Sequence, residues 1–529
     1  MKKLALGVAV SAALFGGMAQ AAVTLDGSGK VVVTPADTYE IYLSGASAAL
    51  DYIEKLSTST TVTPAERMCD STQPVFKFKD NGSGKDQNAY LCTLNPLNPQ
   101  LVGLAGGKTN LMIYKRSAGG SAMGVAPIID DAKGAATAAI AFLNVDPAIC
   151  TVPSPAPAAG VLSTSTCTYS EATAGQFQVK IPDFGISDVD PEQFRGVNTP
   201  AGFSPVNPSD IGLMNVDSAG GQVFGIGATL KLRNALQEAE FGVASGCVGS
   251  ETEACMPSLT RDQVASIITG KLDSWNDLKI GATGLLAATT IAANKPAGGV
   301  KTDRVHICTR TDGSGTKAQM GINFLNYPCS SAATSPTADT GALSEIVAKT
   351  QVHANSSSGT LSECLRELDS GLNTVGTAFN NTYGTRWAVG IQGLEKNADQ
   401  TEDWRFIKID NVAPTLENVA KGKYHDWAEL TFQYSKTHVF DAGEKTIVDE
   451  FIKAASNPAV LVTLNAGNVH PFGASGYLAS PKNYAPEING QFAATYPVNP
   501  FSHATTSQGV NNCRIPATYD LKTGGIQLK

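Results

Sequence analysis

A stretch of nine residues combines the groups that bind oxyanions. Residues 309–317 (TRTDGSGTK) follow the apolar, strand-like segment 305–308, and the apolar spacing after Lys317 predicts a helix. In a turn between a strand and a helix, glycines bring backbone N–H groups close to a ligand, and the helix N-terminus attracts negative charge. Arg310 can offer a planar set of donors, and we expect Asp312 to hold its guanidinium. The stretch predicts an anion site, although Asp-Gly and Ser-Gly pairs also form ordinary turns.

The same order of strand, small-residue loop and helix occurs twice earlier in the chain. Residues 40–43 have the pattern of a strand, and residues 44–50 (SGASAAL) then begin a helix. Residues 111–114 are a second strand, which residues 115–121 (KRSAGGS) follow. Strands alternate with helices through most of the remaining chain. This alternation predicts an α/β fold with parallel sheets and ligand loops at the carboxyl ends of strands.

The beginning of the chain predicts export. A basic start (residues 1–3), an apolar run (residues 4–18) and the sequence AQA at 19–21 have the order of a secretory signal peptide, with cleavage near Ala21/Ala22. We find no second apolar run long enough to span a bilayer. We therefore expect a periplasmic or secreted protein without a membrane span after cleavage.

Ten cysteines in an exported chain predict disulfides. Their spacing favours neighbouring pairs, which are Cys69–Cys92, Cys150–Cys167, Cys247–Cys255 and Cys308–Cys329, and this leaves Cys364–Cys513 to fix the C-terminal tail. Zinc binding is less well supported, because no pair has C-x-x-C spacing and the six histidines are scattered.

The charge balance restricts the partners. There are 39 Lys and Arg residues against 47 Asp and Glu residues, so the formal net charge is −8. Nucleic acid would need a basic face, and we expect none as a partner. An acidic protein must bind an anion through local dipoles and one or two cations. We predict neither a cofactor nor a metal site.

The length predicts either two or three domains or one large two-lobed unit. The expected division is a signal peptide (1–21), lobe I (22–220), lobe II (221–405), and a return to lobe I with the C-terminal tail (406–529). Two polar, cysteine-bearing segments, near residues 57–107 and 131–176, are interpreted as surface insertions. The tail from Pro471 is rich in Pro and Asn and is expected to be loop-like.

Six segments, in this order, resemble the phosphate-specific solute-binding proteins of bacterial ABC importers, the PstS-like group of the periplasmic-binding-protein superfamily. They are residues 44–50, 117–120, 183–188 (DFGISD), 259–278, 310–316 and 414–424. The resemblance implies a two-lobed fold with a hinge, acting as a monomer. It also implies that inorganic phosphate or a related oxyanion is bound between the lobes and passed to an ABC permease, with no chemistry performed.

The resemblance also implies which residues contact the ligand. They are Ser117, Asp188, Arg310, Ser314, Gly315 and Thr316. A buried Asp188 can only accept hydrogen bonds when ionised, so it would pair with the proton of hydrogen phosphate and repel sulfate. Taken alone, Asp188 also fits an Asx-turn or an N-cap before Pro191.

Two loops depart from the family pattern. The family has Thr-Phe where this chain has Ala49 and Leu50, so a hydroxyl donor is lost unless Ser47 turns inward or backbone amides suffice. Arg116 stands where the family has a small residue. It either adds a second cation to the pocket or points outward.

Two other classes of function remain open at this point. The insertions could block docking to a transporter, which would leave a secreted or cell-surface interaction protein on the same fold. An enzyme is less well supported, because the chain has no G-x-S-x-G motif and no histidine-rich cluster. The segment 183–185 (DFG) matches a kinase metal motif but lacks the accompanying H-R-D loop.

Overall fold

The computed structural model describes most of the chain that follows the predicted signal peptide. The described residues are 23–47, 50–59, 61–82, 86–341, 344–347, 349–374, 379–486, 492–504, 509–520 and 525–527. The predicted signal peptide and its cleavage point lie outside them. Within the described part of the chain, none of the helices combines the length and the apolar character that crossing a membrane requires.

A large mixed sheet organises the fold. Its thirteen strands within the described residues are β1 (Thr38–Gly45), β2 (Val75–Asp80), β3 (Gln87–Thr93), β4 (Asn110–Arg116), β5 (Leu162–Cys167), β6 (Phe184–Ser187), β7 (Met214–Thr229), β8 (Val305–Arg310), β9 (Thr350–Asn355), β10 (Ala388–Gly393), β11 (Trp404–Phe406), β12 (Trp427–Ser435) and β13 (Tyr477–Ala479). Their order is β9-β8-β10-β7-β12-β6-β1-β4-β3-β2-β5, and β11 and β13 pair with β7 beside this path. The expected parallel pairing occurs in two trios, β6-β1-β4 and β9-β8-β10, and between β2 and β5, while β7 and β12 are antiparallel to their neighbours.

Helices occupy the connections between these strands. Within the described residues they are α1 (Leu50–Thr58), α2 (Ala126–Ala132), α3 (Pro208–Ile211), α4 (Leu230–Phe241), α5 (Arg261–Ile268), α6 (Leu285–Ala288), α7 (Gly315–Leu325), α8 (Ser358–Ser370), α9 (Leu416–Ala420), α10 (Glu444–Ala455) and α11 (Pro458–Asn465). Local chemistry explains where they begin. Thr260 and Gln263 form a capping box before α5, and the side chains of Ser314 and Ser357 cap α7 and α8.

Short strands form smaller sheets beside the main one. They pair as Thr24–Leu25 with Val31–Val32, Ile140–Leu143 with Phe177–Lys180, Ser258–Leu259 with Lys408–Ile409, Lys279–Ile280 with Thr283–Gly284, Val469–His470 with Gly473–Ala474, and Phe501–Ser502 with Ala517–Asp520 and Gly525–Gln527.

Strand β7 joins the two halves of the sheet. It pairs with β12 over its first part and with β10 and β11 over its last part, with an irregular register between Ser218 and Gly220. One hydrophobic core surrounds β1, β6 and α10, and a second surrounds β7, β8 and α8. These two cores give the chain a two-lobed α/β fold, as predicted. The predicted boundary at residues 220 and 221 falls inside β7, and the division into lobes at that point stays a prediction.

The two segments interpreted as surface insertions contribute strands to the main sheet. The first carries β2 and β3, and the second carries β5 at the edge. Residues 75–80 (VFKFKD) alternate apolar and polar side chains with the period of a strand, and Phe76 and Phe78 pack in a third core with Leu91. Both segments therefore contain regular strands, which the polar flanks hide in the sequence, and their interpretation as insertions stays a prediction. The loop-like tail likewise supplies β13.

The ten cysteines form five disulfides, as predicted, but two of the predicted pairings are wrong. The pairs Cys69–Cys92, Cys150–Cys167 and Cys247–Cys255 are confirmed. The other four cysteines pair as Cys308–Cys364 and Cys329–Cys513. Helix α7 begins just after β8 and, at 1.5 Å per residue, spans about 16 Å. It therefore carries the chain away from the β8 cysteine, which lies against α8 instead.

Removing the long-range disulfide should destabilise the protein. Cys329 and Cys513 are 184 residues apart, so their bond restricts the unfolded chain strongly. We expect the double variant Cys329→Ser with Cys513→Ser to lose about 3–5 kcal/mol of unfolding free energy in a denaturant titration. The matched control removes Cys247–Cys255, which are eight residues apart, and should cost less. Equal losses for the two pairs would contradict this explanation.

Candidate functional site

The predicted ligand residues follow the carboxyl ends of four strands. β1, β4 and β6 end at Gly45, Arg116 and Ser187, and they are neighbours in one half of the sheet. β8 ends at Arg310 in the other half. Because the carboxyl ends of parallel neighbours lie at one edge of a sheet, the first three loops meet there. Direct contacts bring the fourth loop against them.

The loop after β4 packs on the loop after β8. The Ala122 N–H donates to the carbonyl oxygen of Gly313 at 2.8 Å. Gly120 and Gly313 adopt positive φ angles of 67° and 86°. A Cβ on Gly120 would lie 3.1 Å from both the Gly313 oxygen and the Cα of Ser314. The glycines of both predicted loops therefore allow two backbones to touch across the two halves of the sheet.

Asp188 lies at this contact. Its Oδ2 accepts a hydrogen bond from Oγ1 of Thr316 at 3.2 Å, and its N–H donates to Oγ of Ser121 at 3.2 Å. A Cβ on Gly315 would come within 2.5 Å of the Ser121 Oγ and 2.8 Å of the Asp188 Cβ. The structure thus brings three predicted ligand residues together, Asp188 from one half and the first two residues of α7 from the other.

The carboxylate of Asp188 has one oxygen available. Asp188 is only 6% exposed, and among the described residues its Oδ1 has no hydrogen-bond partner. Burial raises the pKa of Asp188, against the effect of the nearby Arg310 charge and the Thr316 hydroxyl. The alternative of an N-cap before Pro191 is wrong, because Asp190 caps that turn. The side chain of Asp188 therefore faces the site.

Arg310 is buried beside it, at 3% exposure. Its Nε and Nη2 donate to the carbonyl oxygens of Asn355 and Ser356 at 3.3 and 2.9 Å, and its Nη1 donates to Oγ of Ser358 at 3.1 Å. Burial lowers the pKa of Arg310, while the Asp188 charge opposes this effect. A guanidinium keeps its proton in proteins, so Arg310 places a fixed positive charge in the site.

Asp312 does not hold Arg310, contrary to expectation. Its Oδ1 lies 2.6 Å from Nζ of Lys317, and its side chain is 52% exposed. Asp312 follows the end of β8 and faces the first turn of α7. The Arg310 guanidinium instead turns toward the segment that joins β9 to α8.

The last two residues of β4 point in opposite directions, as successive residues of a strand do. Nη1 of Arg116 donates to the carbonyl oxygen of Ala141 at 2.7 Å and pairs with Oε1 of Glu171 at 2.8 Å. Of the two alternatives for Arg116, the structure has the outward one. Lys115 is the residue that points inward.

Lys115 is completely buried, with 0% exposure. Its Nζ donates to the carbonyl oxygens of Gly45 and Arg116 at 2.8 and 2.9 Å and to Oγ of Ser117 at 3.2 Å. Burial lowers the pKa of Lys115 to about 7, and the charges of Asp188 and Asp86 limit the fall. Lys115 therefore links the loop after β1 to the loop after β4.

The two predicted serines have different surroundings. Ser117 is buried, and its N–H donates to the carbonyl oxygen of Asp86 at 2.7 Å. Ser314 is also buried, and its Oγ accepts the N–H of Lys317 at 3.4 Å as the cap of α7. A hydroxyl that accepts one bond can still donate another, so both can donate to a ligand.

The loop after β1 is described only in part. Ser47 is partly buried, while Ala49 and the side chain of Leu50 lie outside the described residues. Ser44, at the end of β1, donates from Oγ to the carbonyl oxygen of Met123 at 2.7 Å. The roles of Ser47, Ala49 and Leu50 stay predictions.

Sequence reasoning missed four residues of the site. They are Lys115, Asp86, Ser121 and Ser358. Lys115 and Ser121 flank the small-residue loop after β4, so the strand alternation there could have indicated them. The other two carry no signal in their own neighbourhood, because only the tertiary structure places them.

The chemistry of this donor set is that of an anion site. Two cationic side chains, the hydroxyls of Ser117 and Ser314 and the first N–H groups of α7 lie near the Asp188 carboxylate, to which the Thr316 hydroxyl donates. Within the described part of the chain, no group of three or more metal-binding side chains occurs. Asp183, the residue of the kinase-like motif, accepts the N–H of Tyr42 at 2.6 Å and lies 3.1 Å from Nε2 of His438, so the fold uses its carboxylate.

Comparisons with known proteins find only distant structural similarity. No family model matches the sequence, and no curated protein matches it. A protein of Clostridium perfringens with bound phosphate, described as a phosphate ABC transporter substrate-binding protein, matches with a TM-score of 0.30 and 15% identity over 58% of this chain and 86% of that one.

Two other solved structures are similar to a comparable extent. An ABC-type phosphate transport receptor of Vibrio cholerae matches with a TM-score of 0.26 and 13% identity, over 52% of this chain and 74% of that one. PstS of Borrelia burgdorferi matches with a TM-score of 0.26 and 12% identity, over 58% and 84%. Similarity at this distance assigns neither a ligand nor a role to this chain.

A methyl group at Gly315 should disturb the site. We expect Gly315→Ala to lower the unfolding free energy by about 1–3 kcal/mol, because the added Cβ overlaps Ser121 and Asp188. The matched control is Gly359→Ala, where the nearest atom to the new Cβ, the Ser357 Oγ, is 3.6 Å away. This control, also in a first helical turn, should be neutral. Thermal and denaturant unfolding measure both, and an unchanged Gly315→Ala variant would contradict the close contact.

Proposed function

We propose that this protein is an exported solute-binding protein that binds phosphate, or a closely related oxyanion, between its two lobes and serves ABC-type uptake. The buried Asp188 carboxylate, with one oxygen free of partners beside a buried Arg310, carries the proposal. The protein acts in the periplasm or as a secreted protein, without chemical conversion of its ligand.

The charges favour an anion of this size. Arg310 supplies a fixed cation, and Ser117 and Ser314 supply hydroxyl donors around it, while the Thr316 hydroxyl donates to Asp188 and leaves the Thr316 N–H for the ligand. The first two N–H groups of α7, those of Gly315 and Thr316, have no partner within the helix, and both residues lie against Asp188. A tetrahedral oxyanion has enough acceptor oxygens to satisfy this many convergent donors.

The carboxylate favours an anion that carries a proton. Ionised Asp188 can accept the O–H of hydrogen phosphate at its free Oδ1. Sulfate has no proton near neutral pH, so it would leave two negative charges facing each other in a buried place. An unpaired buried charge costs several kcal/mol, and this cost is the source of the proposed specificity.

Calorimetric titration tests the proposal. We expect the ligand-stripped protein to bind phosphate and arsenate but not sulfate, and Arg310→Met to weaken binding at least about 100-fold by removing charge-assisted hydrogen bonds. The matched control is Arg366→Met, since Arg366 pairs with Glu402 on the partly exposed face of α8. It should bind phosphate normally. Absence of heat and of thermal shift with every oxyanion tested would overturn the proposal.

The discrimination against sulfate should depend on pH. Because burial raises the pKa of Asp188, the carboxylate takes up a proton at a higher pH than an exposed aspartate does. A protonated Asp188 can donate to sulfate, so sulfate affinity should increase as the pH falls through the raised pKa. In Asp188→Asn we expect sulfate to bind at all pH values at which the protein is folded. Equal rejection of sulfate by both proteins would exclude Asp188 as the discriminating residue.

A further inference from the structure

We propose that Lys115 is a second, charge-compensating cation of the oxyanion site, a role that rests on the proposed function. The sequence left open whether Arg116 adds a second cation or points outward, and the structure pairs Arg116 with Glu171 on the outside. Lys115 occupies the opposite face of the same strand and contacts Ser117, one of the predicted ligand residues.

The Nζ atom of Lys115 lies between the loop after β1 and the loop after β4. Three acceptors surround Nζ, namely the carbonyl oxygens of Gly45 and Arg116 and the hydroxyl oxygen of Ser117. Three acceptors match the three N–H donors of an ammonium group, whereas a neutral amine has two. The Ser117 hydroxyl, by accepting from Lys115, is left with its own hydrogen to donate toward an anion.

The charges around Lys115 are balanced before an anion arrives. Asp86 and Asp188 are the carboxylates that act on it, and Arg116 is the cation that opposes them. Arg310 interacts with the same two carboxylates. An added anion leaves an excess of negative charge, which favours the protonated form of the most easily titrated base nearby.

Lys115 is that base. Burial lowers the pKa of its ammonium to about 7, so at about pH 8 the unliganded protein holds Lys115 mainly as the amine, which leaves one of its three acceptors without a hydrogen. Anion binding raises this pKa, and the lysine then takes one proton from solvent. The N–H bond that forms uses the amine lone pair, and the solvent buffer loses the proton.

Proton uptake can be counted by calorimetry. Phosphate is titrated at about pH 8 in two buffers of different ionisation enthalpy, and the difference in heat gives the protons taken up per anion. We expect the unsubstituted protein to take up close to one proton more than Lys115→Met, and Lys115→Met to bind about 10- to 100-fold more weakly. Lys231→Met is the matched control, because Lys231 also donates to a backbone carbonyl, that of Asp369, and its proton count should not change.

The stability of the ligand-free protein provides a second readout. The pKa of Lys115 is about 7 in the folded protein against 10.5 in the unfolded chain, so the unfolded state binds more protons between these values. Relative to Lys115→Met, the unfolding free energy of the unsubstituted protein should rise with pH from about 7 to about 10 and be flat below that range. If Lys115→Met does not fold, the variant Asp86→Asn is tested in its place. Removing the Asp86 charge should lower the pKa of Lys115 further, so proton uptake should occur at lower pH.

The outcomes separate the two proposals. Phosphate binding with the same proton count in the unsubstituted protein and in Lys115→Met would overturn the role of Lys115 and leave the proposed function intact. No binding of any oxyanion to the unsubstituted protein would overturn both. If Lys115→Met binds phosphate more weakly but takes up as many protons per anion as the unsubstituted protein, Lys115 serves only as a structural link between the two loops.

Discussion

Burial of opposite charges at the junction of the two sheet halves is the constraint on which the site depends. Arg310 and Lys115 are withdrawn from solvent beside Asp188, and removing an isolated charge from water is costly. Backbone carbonyls and hydroxyls offset part of this cost, as the contacts of both cations illustrate. The Oδ1 of Asp188 is one buried atom that the described residues leave without a hydrogen-bond partner. An arrangement of this kind is specific because a wrong ligand leaves a charge unpaired.

Glycine makes the junction possible. The loops after β4 and β8 approach until backbone touches backbone, and the same closeness brings Asp188 against Thr316. Small residues in these loops therefore serve contact between the halves as much as contact with an anion. The sequence motif 310–316 predicts an anion site, but it does not predict this contact between the halves. Gly313 allows the positive φ, Ser314 caps α7, and Arg310 supplies the buried charge, so each meets a separate physical requirement.

Other parts of the structure could not be predicted from the sequence. Short alternating strands, such as residues 75–80, are hidden by polar flanks, since a strand of six residues has little periodicity to detect. The pairs Cys308–Cys364 and Cys329–Cys513 depend on the direction in which α7 carries the chain, and spacing does not contain that information. The exchange of Arg116 for Lys115 depends on which face of β4 points inward. Neighbouring residues of a strand face opposite sides of the sheet. Both positions hold a basic residue, so the sequence does not show which of the two points inward.

The C-terminal tail limits how the two halves can separate. Asn512 exchanges two hydrogen bonds with Asp190, two residues beyond Asp188, at 2.8 and 2.6 Å. The next residue, Cys513, is bonded to Cys329 beyond the end of α7. The tail thus joins the segment after β6 to the helix that carries Thr316. Strands β7 and β12 already connect the halves, so the tail is a further connection on the ligand side. Separating the halves here breaks the bonds at Asp188 and Gly313. Because Cys513 stays bonded to Cys329, the two hydrogen bonds between Asn512 and Asp190 also oppose the separation.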